Sequence, residues 1–515
     1  LSVMIGCFAG CAGSPKGPES TVSGGTESSD NHSDSSRDGD DASSGDGSAA
    51  SSNANETSSA ESNAGTSSNG GGTTGTISKG GNTGTTGTHP TNPVSNNVVT
   101  KGKTFTIVST YLPSKRSGNM DLYAELFLER VEEVEKELGC EIKIINSVYP
   151  SIDWLAPQIR AGKKVADLLH VEMRELVPLV SAGYVKAWSD IPGVNVKDSN
   201  FNQGITQVST INGKTYGVSM LKPEEVRYCG VINKTLLKKY GVDPDEIYKK
   251  IDNGTWTFDA LLEYAQKIQK NTAFKGMAID ADPSYLIEIL MAANNGRIVT
   301  MDAKGNATAT YNSANVREAA QYMYDLVHTY NLYNPKKWQA DPQAGPDRFV
   351  KGNVAFLFDE SWVVAKKIKQ NVKNFDYGMI MLPKGSKSTG YVSGLEHANM
   401  FVTTSTNKEQ GFTAKVLTAL SKPSKNQSGS QWWLDEVQVD MFQRNDTKSL
   451  EIYKKLLDSP TIDLGLCIST LTKQFKDAIV TDAIIDKKIS VSAAFDSING
   501  KLDGTITDIF GKLGK

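Results

Sequence analysis

Between Ala12 and Thr100 the chain has no phenylalanine, tryptophan or tyrosine. Ser, Gly, Thr, Asn and Ala dominate that stretch. Such a composition cannot bury enough apolar surface to offset the entropy lost on ordering, so the segment reads as a disordered tether. Cysteine is scarce as well: Cys7 and Cys11 precede the tether, and Cys140, Cys229 and Cys467 follow it. An odd number in the folded part, two of them in or beside apolar strand-like runs, argues for small buried hydrophobes over a disulfide or metal framework. The five histidines are scattered, two of them in the tether, which speaks against a histidine metal cluster.

Catalytic motifs are missing too. The sequence has no G-x-S-x-G, no H-E-x-x-H and no C-x-x-C. Gly102-Lys-Thr and Gly213-Lys-Thr look like phosphate-loop fragments, but Asn97 and Val208 stand where the first loop glycine belongs. Glu224-Glu225 could imitate a glycosidase carboxylate pair, yet adjacent residues of an extended segment point to opposite sides. The reading is of a protein that is not an enzyme and carries no cofactor or metal. Ten acidic residues against three basic ones give the tether seven net negative charges. The whole chain carries −3, which leaves the folded part about +4 and without the electrostatic footprint of a nucleic-acid binder.

The first eleven residues end Phe8-Ala9-Gly10-Cys11, an apolar run closing in small residues before a cysteine. The segment resembles a signal-peptide remnant with a bacterial lipobox, and Cys11 is then the lipidated residue, with Cys7 the weaker alternative. Phe8 departs from the aliphatic residue usual there. Eleven residues cannot span a bilayer as a helix, and no later run is long and apolar enough. A flexible tether of about 90 residues has a root-mean-square span of roughly 50 Å, enough to let a folded part range over a membrane surface. A glycosylated Ser/Thr-rich stalk is the alternative for this segment.

From Lys101 onward the composition is that of a globular protein, and 415 residues exceed what one core usually serves, so two lobes are expected. Thr104–Tyr111 reads as a strand. Tyr123, Phe127, Val131, Val134 and Leu138 form one helical stripe, which Gly139 ends. Glu141–Asn146 and Ala166–Val171 read as strands, Ser151–Lys163 and Glu172–Ala182 as helices. This alternation predicts a parallel sheet with helices on both faces, and ligands at the carboxyl ends of its strands, after Tyr111, Asn146 and Val171. A second unit opens near Arg227 with the strand Tyr228–Asn233. Its helix Phe258–Lys270 has Thr257 as N-cap, with Trp256 and Leu261 at the positions of a hydrophobic staple. Helices also read at Asn315–Tyr330 and Lys408–Leu420.

The runs Asn212-Gly-Lys-Thr-Tyr-Gly-Val218, Val231-Ile-Asn-Lys-Thr-Leu-Leu-Lys-Lys-Tyr-Gly241, Thr255-Trp-Thr-Phe-Asp-Ala-Leu-Leu262 and Asn295-Gly-Arg-Ile-Val299 occur in that order. Phe349-Val-Lys-Gly-Asn-Val-Ala-Phe356 with Asp359-Glu-Ser-Trp362, then Tyr377-Gly-Met-Ile-Met-Leu-Pro-Lys384, and finally Arg444-Asn-Asp446 with Asp463-Leu-Gly465, complete the set. Taken together, from about Thr104 to Phe510, they resemble the bacterial extracellular solute-binding protein family that includes the maltodextrin-binding proteins. Each match is weak alone, and their order and spacing carry the resemblance. Asp359-Glu360-Ser361 replaces a glycine-containing pair usual before the tryptophan, and Cys229-Gly230 replaces an apolar-aromatic pair. The ligand preference therefore cannot be copied across.

The resemblance implies an α/β, periplasmic-binding-protein-like fold: two α/β lobes joined by a hinge, with a ligand cleft between them. Lobe 1 would comprise 101–220 and 392–435, lobe 2 221–385 and 436–515. It implies a lipid-anchored extracellular binding protein, monomeric, that delivers a carbohydrate to ABC transporter permease subunits. The alternatives are a receptor that presents ligand to a membrane sensor kinase, a binding protein for a non-sugar solute, and a secreted glycoside hydrolase. A sugar needs aromatic plates for its C–H faces and planar polar groups for its hydroxyls. Trp362 takes the family's second-lobe aromatic position, in preference to a core role at a helix start. Tyr111 and Glu172, at the ends of the first and third strands, are candidates with a core residue and a first-turn helix acid as their respective alternatives. Glu224 and Glu225 follow the first crossover, Tyr285 and Glu360 lie in second-lobe loops, and Glu396 and His397 follow the return crossover. Trp256, Trp188 and Trp432-Trp433 read as packing residues.

Overall fold

The computed structural model describes residues 98–117, 122–219, 227–270, 278–302, 306–341, 344–425, 432–511 and 513. Glu224, Glu225, Cys7 and Cys11 lie outside the described residues. The strands, in chain order, are β1 (Thr104–Ser109), β2 (Glu141–Ile145), β3 (Leu168–Glu172), β4 (Val185–Lys186), β5 (Thr210–Ile211), β6 (Lys214–Thr215), β7 (Tyr228–Asn233) and β8 (Ile279–Ala281). They continue with β9 (Val299–Met301), β10 (Ala307–Ala309), β11 (Phe356–Glu360), β12 (Tyr377–Ile380), β13 (Ser393–Gly394), β14 (Asn399–Thr404) and β15 (Pro460–Thr461). Two larger sheets, in the orders β2-β1-β3-β14-β4 and β12-β7-β11-β8, form the centres of two α/β lobes.

The first sheet departs from the expected all-parallel arrangement. β1 runs parallel to β2 and β3, but β14 enters between β3 and β4 antiparallel to both. The reason is connectivity: β14 returns from the second lobe, so it enters at the end where β1 and β3 leave. Within β1, Phe105 and Ile107 face one way and pack with Phe127, Val131 and Val134 of the helix Leu122–Leu138 and Phe412 of the helix Gln410–Leu420. Val108, Leu169 and Val171 face the other way and join the core that continues into the second lobe. The period of two thus gives each face its own helices. Gly139, at φ 64°, ends the first helix in the left-handed region that glycine occupies without strain.

Other local expectations meet the structure closely. Ser151 caps the helix Ile152–Arg160 by accepting the Trp154 amide, and Thr257 caps Phe258–Gln269 by accepting the Ala260 amide at 3.3 Å. The helix expected over Glu172–Ala182 begins instead as a 3-10 turn, Met173–Glu175, before Leu176–Ser181. Trp256 is fully buried, donates its indole N–H to the Met381 carbonyl at 2.9 Å and stacks near Tyr264 and Phe356. Trp188 is fully buried and donates to the Phe401 carbonyl at 2.9 Å. Cys140, Cys229 and Cys467 are buried and unbridged. The helix Trp432–Met441 packs against Val364–Ile368 and against Thr447–Leu457, which itself covers β12 of the second sheet. Among the described residues no helix is long and apolar enough to cross a membrane.

The two chain crossings nearest the first sheet are hydrogen-bonded to each other. Val218 and Phe401 exchange both backbone bonds, at 3.2 and 2.7 Å. Next to them Gly217 lies so close to β14 that a Cβ there would sit 2.2 Å from the Met400 sulfur and 3.1 Å from Ser209 Cβ. Met400 is fully buried and has little room to move. Gly217→Ala is therefore expected to cost about 1–3 kcal/mol, the range for overpacking a filled interior. Urea unfolding should report an earlier midpoint at an unchanged slope, and an unchanged midpoint would refute the close packing of the crossings.

Candidate functional site

Because β1 and β3 are parallel neighbours with Ser109 opposite His170, the residues just beyond them emerge together. Tyr111 donates its hydroxyl to Glu172 Oε1 at 2.5 Å, and Arg174 Nε lies 2.7 Å from Glu172 Oε2. Arg174 also donates to the Tyr149 hydroxyl at 3.3 Å and sits 5.8 Å from the centroid of that ring. Glu172 is only 5% exposed, whereas Tyr111 is 48% exposed. A buried carboxylate needs such partners, and the two donors meet that need. Beneath them Ser109 Oγ is 3.0 Å from His170 Nδ1, and burial pushes His170 down to about 3, so its ring is neutral. Burial also pushes the Tyr149 phenol up to about 12, so Tyr149 stays a hydrogen-bond donor.

The second lobe builds a matching group. In the antiparallel pair β7–β11, Glu360 stands opposite Tyr228. Glu360 Oε2 accepts the Trp362 indole N–H, and Glu360 Oε1 lies 3.4 Å from Arg227 Nε. Tyr285, on the helix Pro283–Ala293, has its ring 5.5 Å from that of Tyr228 and 5.4 Å from that of His397. Behind these rings lies Glu288. It accepts the Tyr228 hydroxyl at 2.5 Å, has Lys476 Nζ at 2.5 Å and His397 Nε2 at 3.4 Å. Burial alone would raise the Glu288 pKa, but Lys476 and His397 together hold it down to about 2. Burial, with Glu360, Asp282 and Asp280 nearby, pushes the Asp359 carboxyl well above the usual range.

The return crossover joins the two groups. The Met173 amide donates to the Ala398 carbonyl at 2.7 Å, and Asn399 pairs with Glu172. His397 of the second group is thus two residues from the partner of Glu172. The Arg174 guanidinium also lies near enough to Cys467 to lower its thiol, against the burial that raises it. Glu396 is buried: one oxygen accepts the Asp463 amide at 2.8 Å, and Asp463 in turn accepts the amides of Ile298, Val299 and Gly465. Burial pushes Glu396 up to about 7 and Asp463 up to about 6.

Of the sequence candidates, the structure brings Tyr111 together with Glu172, and Tyr285 and His397 together around Tyr228, with Glu360 and Trp362 alongside. Sequence reasoning passed over Tyr149, Arg174, Arg227, Tyr228, Glu288 and Lys476. Tyr149 lies in the loop after β2, where ligand contacts were expected. Glu288 is the one carboxylate in Leu286-Ile-Glu-Ile-Leu-Met291, and a charge in so apolar a helix implies a buried partner. The site offers paired donors and acceptors, the half-exposed Tyr111 ring and the half-exposed Arg174 guanidinium, with Arg227 largely buried. Among the described residues no group of three or more His, Cys, Asp or Glu could hold a metal ion.

The sequence profile of the family described as bacterial extracellular solute-binding protein matches residues 120–438. No curated protein matches the chain in sequence. Among solved structures, the cyclic alpha-maltosyl-1,6-maltose binding protein from Arthrobacter globiformis is 17% identical, with a TM-score of 0.56 over 80% of this chain and 99% of that one. The ABC substrate-binding protein Lmo0181 from Listeria monocytogenes, in complex with cycloalternan, is 15% identical, with a TM-score of 0.57 over 78% and 99%. UgpB from Mycobacterium tuberculosis, in complex with glycerophosphocholine, is 14% identical, with a TM-score of 0.56 over 78% and 98%.

Glu396 gives stability a pH dependence. Its carboxyl titrates near 7 when folded and near its ordinary value when unfolded, so the stability it contributes is present below about pH 4.5 and is lost as pH rises toward 7. The loss is of order 3 kcal/mol. Glu396→Gln, which keeps an oxygen for the Asp463 amide, is expected to flatten the decline in unfolding free energy between pH 5 and pH 8. Parallel pH profiles for the two proteins would sink this assignment.

Proposed function

The chain belongs to the bacterial extracellular solute-binding proteins, and from that premise we propose that it captures a carbohydrate, an oligosaccharide or glycoside, and delivers it to the permease of an ABC importer. The observation that carries this reading is the pair of walls meeting at the return crossover, Tyr111, Tyr149, Glu172 and Arg174 on one side and Trp362, Glu360, Tyr285 and His397 on the other. The half-exposed Tyr111 ring, with the partly buried rings around it, suits sugar C–H surfaces, and carboxylate–guanidinium pairs suit hydroxyls that both donate and accept. A ligand touching both walls stabilises the closed arrangement, which is the form a transporter reads. In this reading lobe 1 is 101–220 with 392–435 and lobe 2 is 221–385 with 436–515. The N-terminal segment through Cys11 supplies a lipid anchor on the outer face of the membrane, residues 12–100 are its tether, and the protein acts as a monomer without enzymatic activity.

A second reading, a phosphodiester or other non-sugar ligand, is favoured by the likeness to a glycerophosphocholine-bound protein. Calorimetry against maltose, maltotriose, cycloalternan, glycerophosphocholine and spermidine separates the two. Tight binding confined to a non-sugar would remove the carbohydrate reading and leave transport standing. Presentation of ligand to a sensor kinase is distinguished by the neighbouring genes, where permeases support transport.

Trp362→Ala is expected to weaken binding of whichever sugar the panel selects by about thirtyfold, near 2 kcal/mol, the loss of a desolvated aromatic contact. Small-angle scattering should also show less contraction on adding that sugar. Trp256→Ala should instead lower the melting temperature and leave affinity nearly unchanged where the protein is folded. Normal binding by Trp362→Ala would move that residue from the wall to the core.

Cys11→Ala in a strain that processes lipoproteins should release the protein from the membrane fraction without altering its ligand affinity. Retention in the membrane with normal signal cleavage would refute the anchor.

A further inference from the structure

Glu288 is buried behind the rings of the candidate site, and three parts of the chain converge on it. It projects from the middle of the helix Pro283–Ala293, flanked by apolar neighbours, and is only 2% exposed. A carboxylate so placed is costly unless paired, and its partners come from three distant parts of the chain. Tyr228 opens β7, His397 belongs to the return crossover, and Lys476 ends the helix Ser469–Lys476 near the C-terminus. One carboxylate oxygen is taken by Lys476 at 2.5 Å, and the other is shared by the Tyr228 hydroxyl at 2.5 Å and His397 Nε2 at 3.4 Å. The imidazole is therefore oriented from behind by Glu288, while its edge meets the rings of Tyr285 and Tyr228 at centroid distances of 5.4 and 6.1 Å.

We propose that Glu288 is a positioning residue of the binding site, fixing the ring orientation and tautomer of His397 and tying that ring to the C-terminal helices through Lys476. The consequence for binding rests on the reading above, in which His397 and Tyr285 face the ligand. The orientation of His397 does not rest on it. The carboxylate oxygen 3.4 Å from Nε2 favours a proton on the nitrogen that faces it, in the cationic ring as in the neutral one. It also fixes the χ2 of a side chain that would otherwise sample a broad, two-fold torsion. Lys476 balances the carboxylate, so the pair adds no net charge behind the rings.

The test uses the full-length protein with 15N-labelled histidine, in which the His397 ring signals are identified by their loss in His397→Gln. In the unaltered protein the expected spectrum has one ring form, with a proton on Nε2 protected from solvent exchange. In Glu288→Gln that proton should exchange about tenfold faster or more, the scale of a lost hydrogen bond to a charged group, and the tautomers should average. Backbone amide signals of β7 and β11 should stay in place, which a general loss of packing would not allow. Unchanged His397 ring signals in a folded Glu288→Gln protein would overturn the proposal. Should that variant fail to fold, Glu288→Asp supplies the same readout, since it keeps the charge but withdraws it by one methylene. Titrating maltotriose and glycerophosphocholine into the same samples separates the two levels. Ring signals altered by Glu288→Gln but untouched by every ligand of the panel would uphold the positioning of His397 and remove His397 from the ligand wall.

Discussion

The insertion of β14 into the first sheet is the interaction on which the rest of the structure depends. Without it β3 loses one neighbour and β4 loses the strand it pairs with among the described residues, leaving backbone donors and acceptors unpaired inside the fold. The Phe401 carbonyl at its centre accepts both the Val218 amide and the Trp188 indole, and the Phe401 ring packs 4.5 Å from that of His170. One strand thereby joins two of the chain crossings between the lobes, the one after Val218 and the one before Asn399. It also sets Ala398 and Asn399 against Met173 and Glu172, so the approach of the two side-chain groups follows from sheet pairing rather than from side-chain choice.

Given that frame, charge pairing shapes the site. Arg174 is held by Glu172, Arg227 lies by Glu360, and Lys476 is held by Glu288. Each pair sets a carboxylate against a cation, so the groups present fixed dipoles without a strong net field. Burial pushes Asp359, Glu396 and Asp463 up, whereas Lys476 and His397 beside the equally buried Glu288 hold its carboxyl down.

Local features were legible from sequence because local chemistry decides them. The strand Tyr228–Asn233 was read to the residue, and Thr257 caps its helix as its hydroxyl allows. Tyr111 and Glu172 were found together because a parallel sheet puts the ends of neighbouring strands side by side. The antiparallel entry of β14 was not legible, since its direction depends on which lobe the chain returns from. Nor was the engagement of Glu396, because its partner is the amide of Asp463, and nothing in the sequence around either residue marks the pair. Glu288 was readable in principle from its apolar neighbours, but its three partners are distant in sequence and only the fold assembles them.

The late arrival of β14 also sets an order in time. A first sheet that begins at Thr104 cannot be finished until Thr404 has been synthesised, so the amino-terminal half cannot settle by itself into a stable domain. Pairing that waits for the distal strand leaves the β14 side of β3 unpaired until most of the chain has been made.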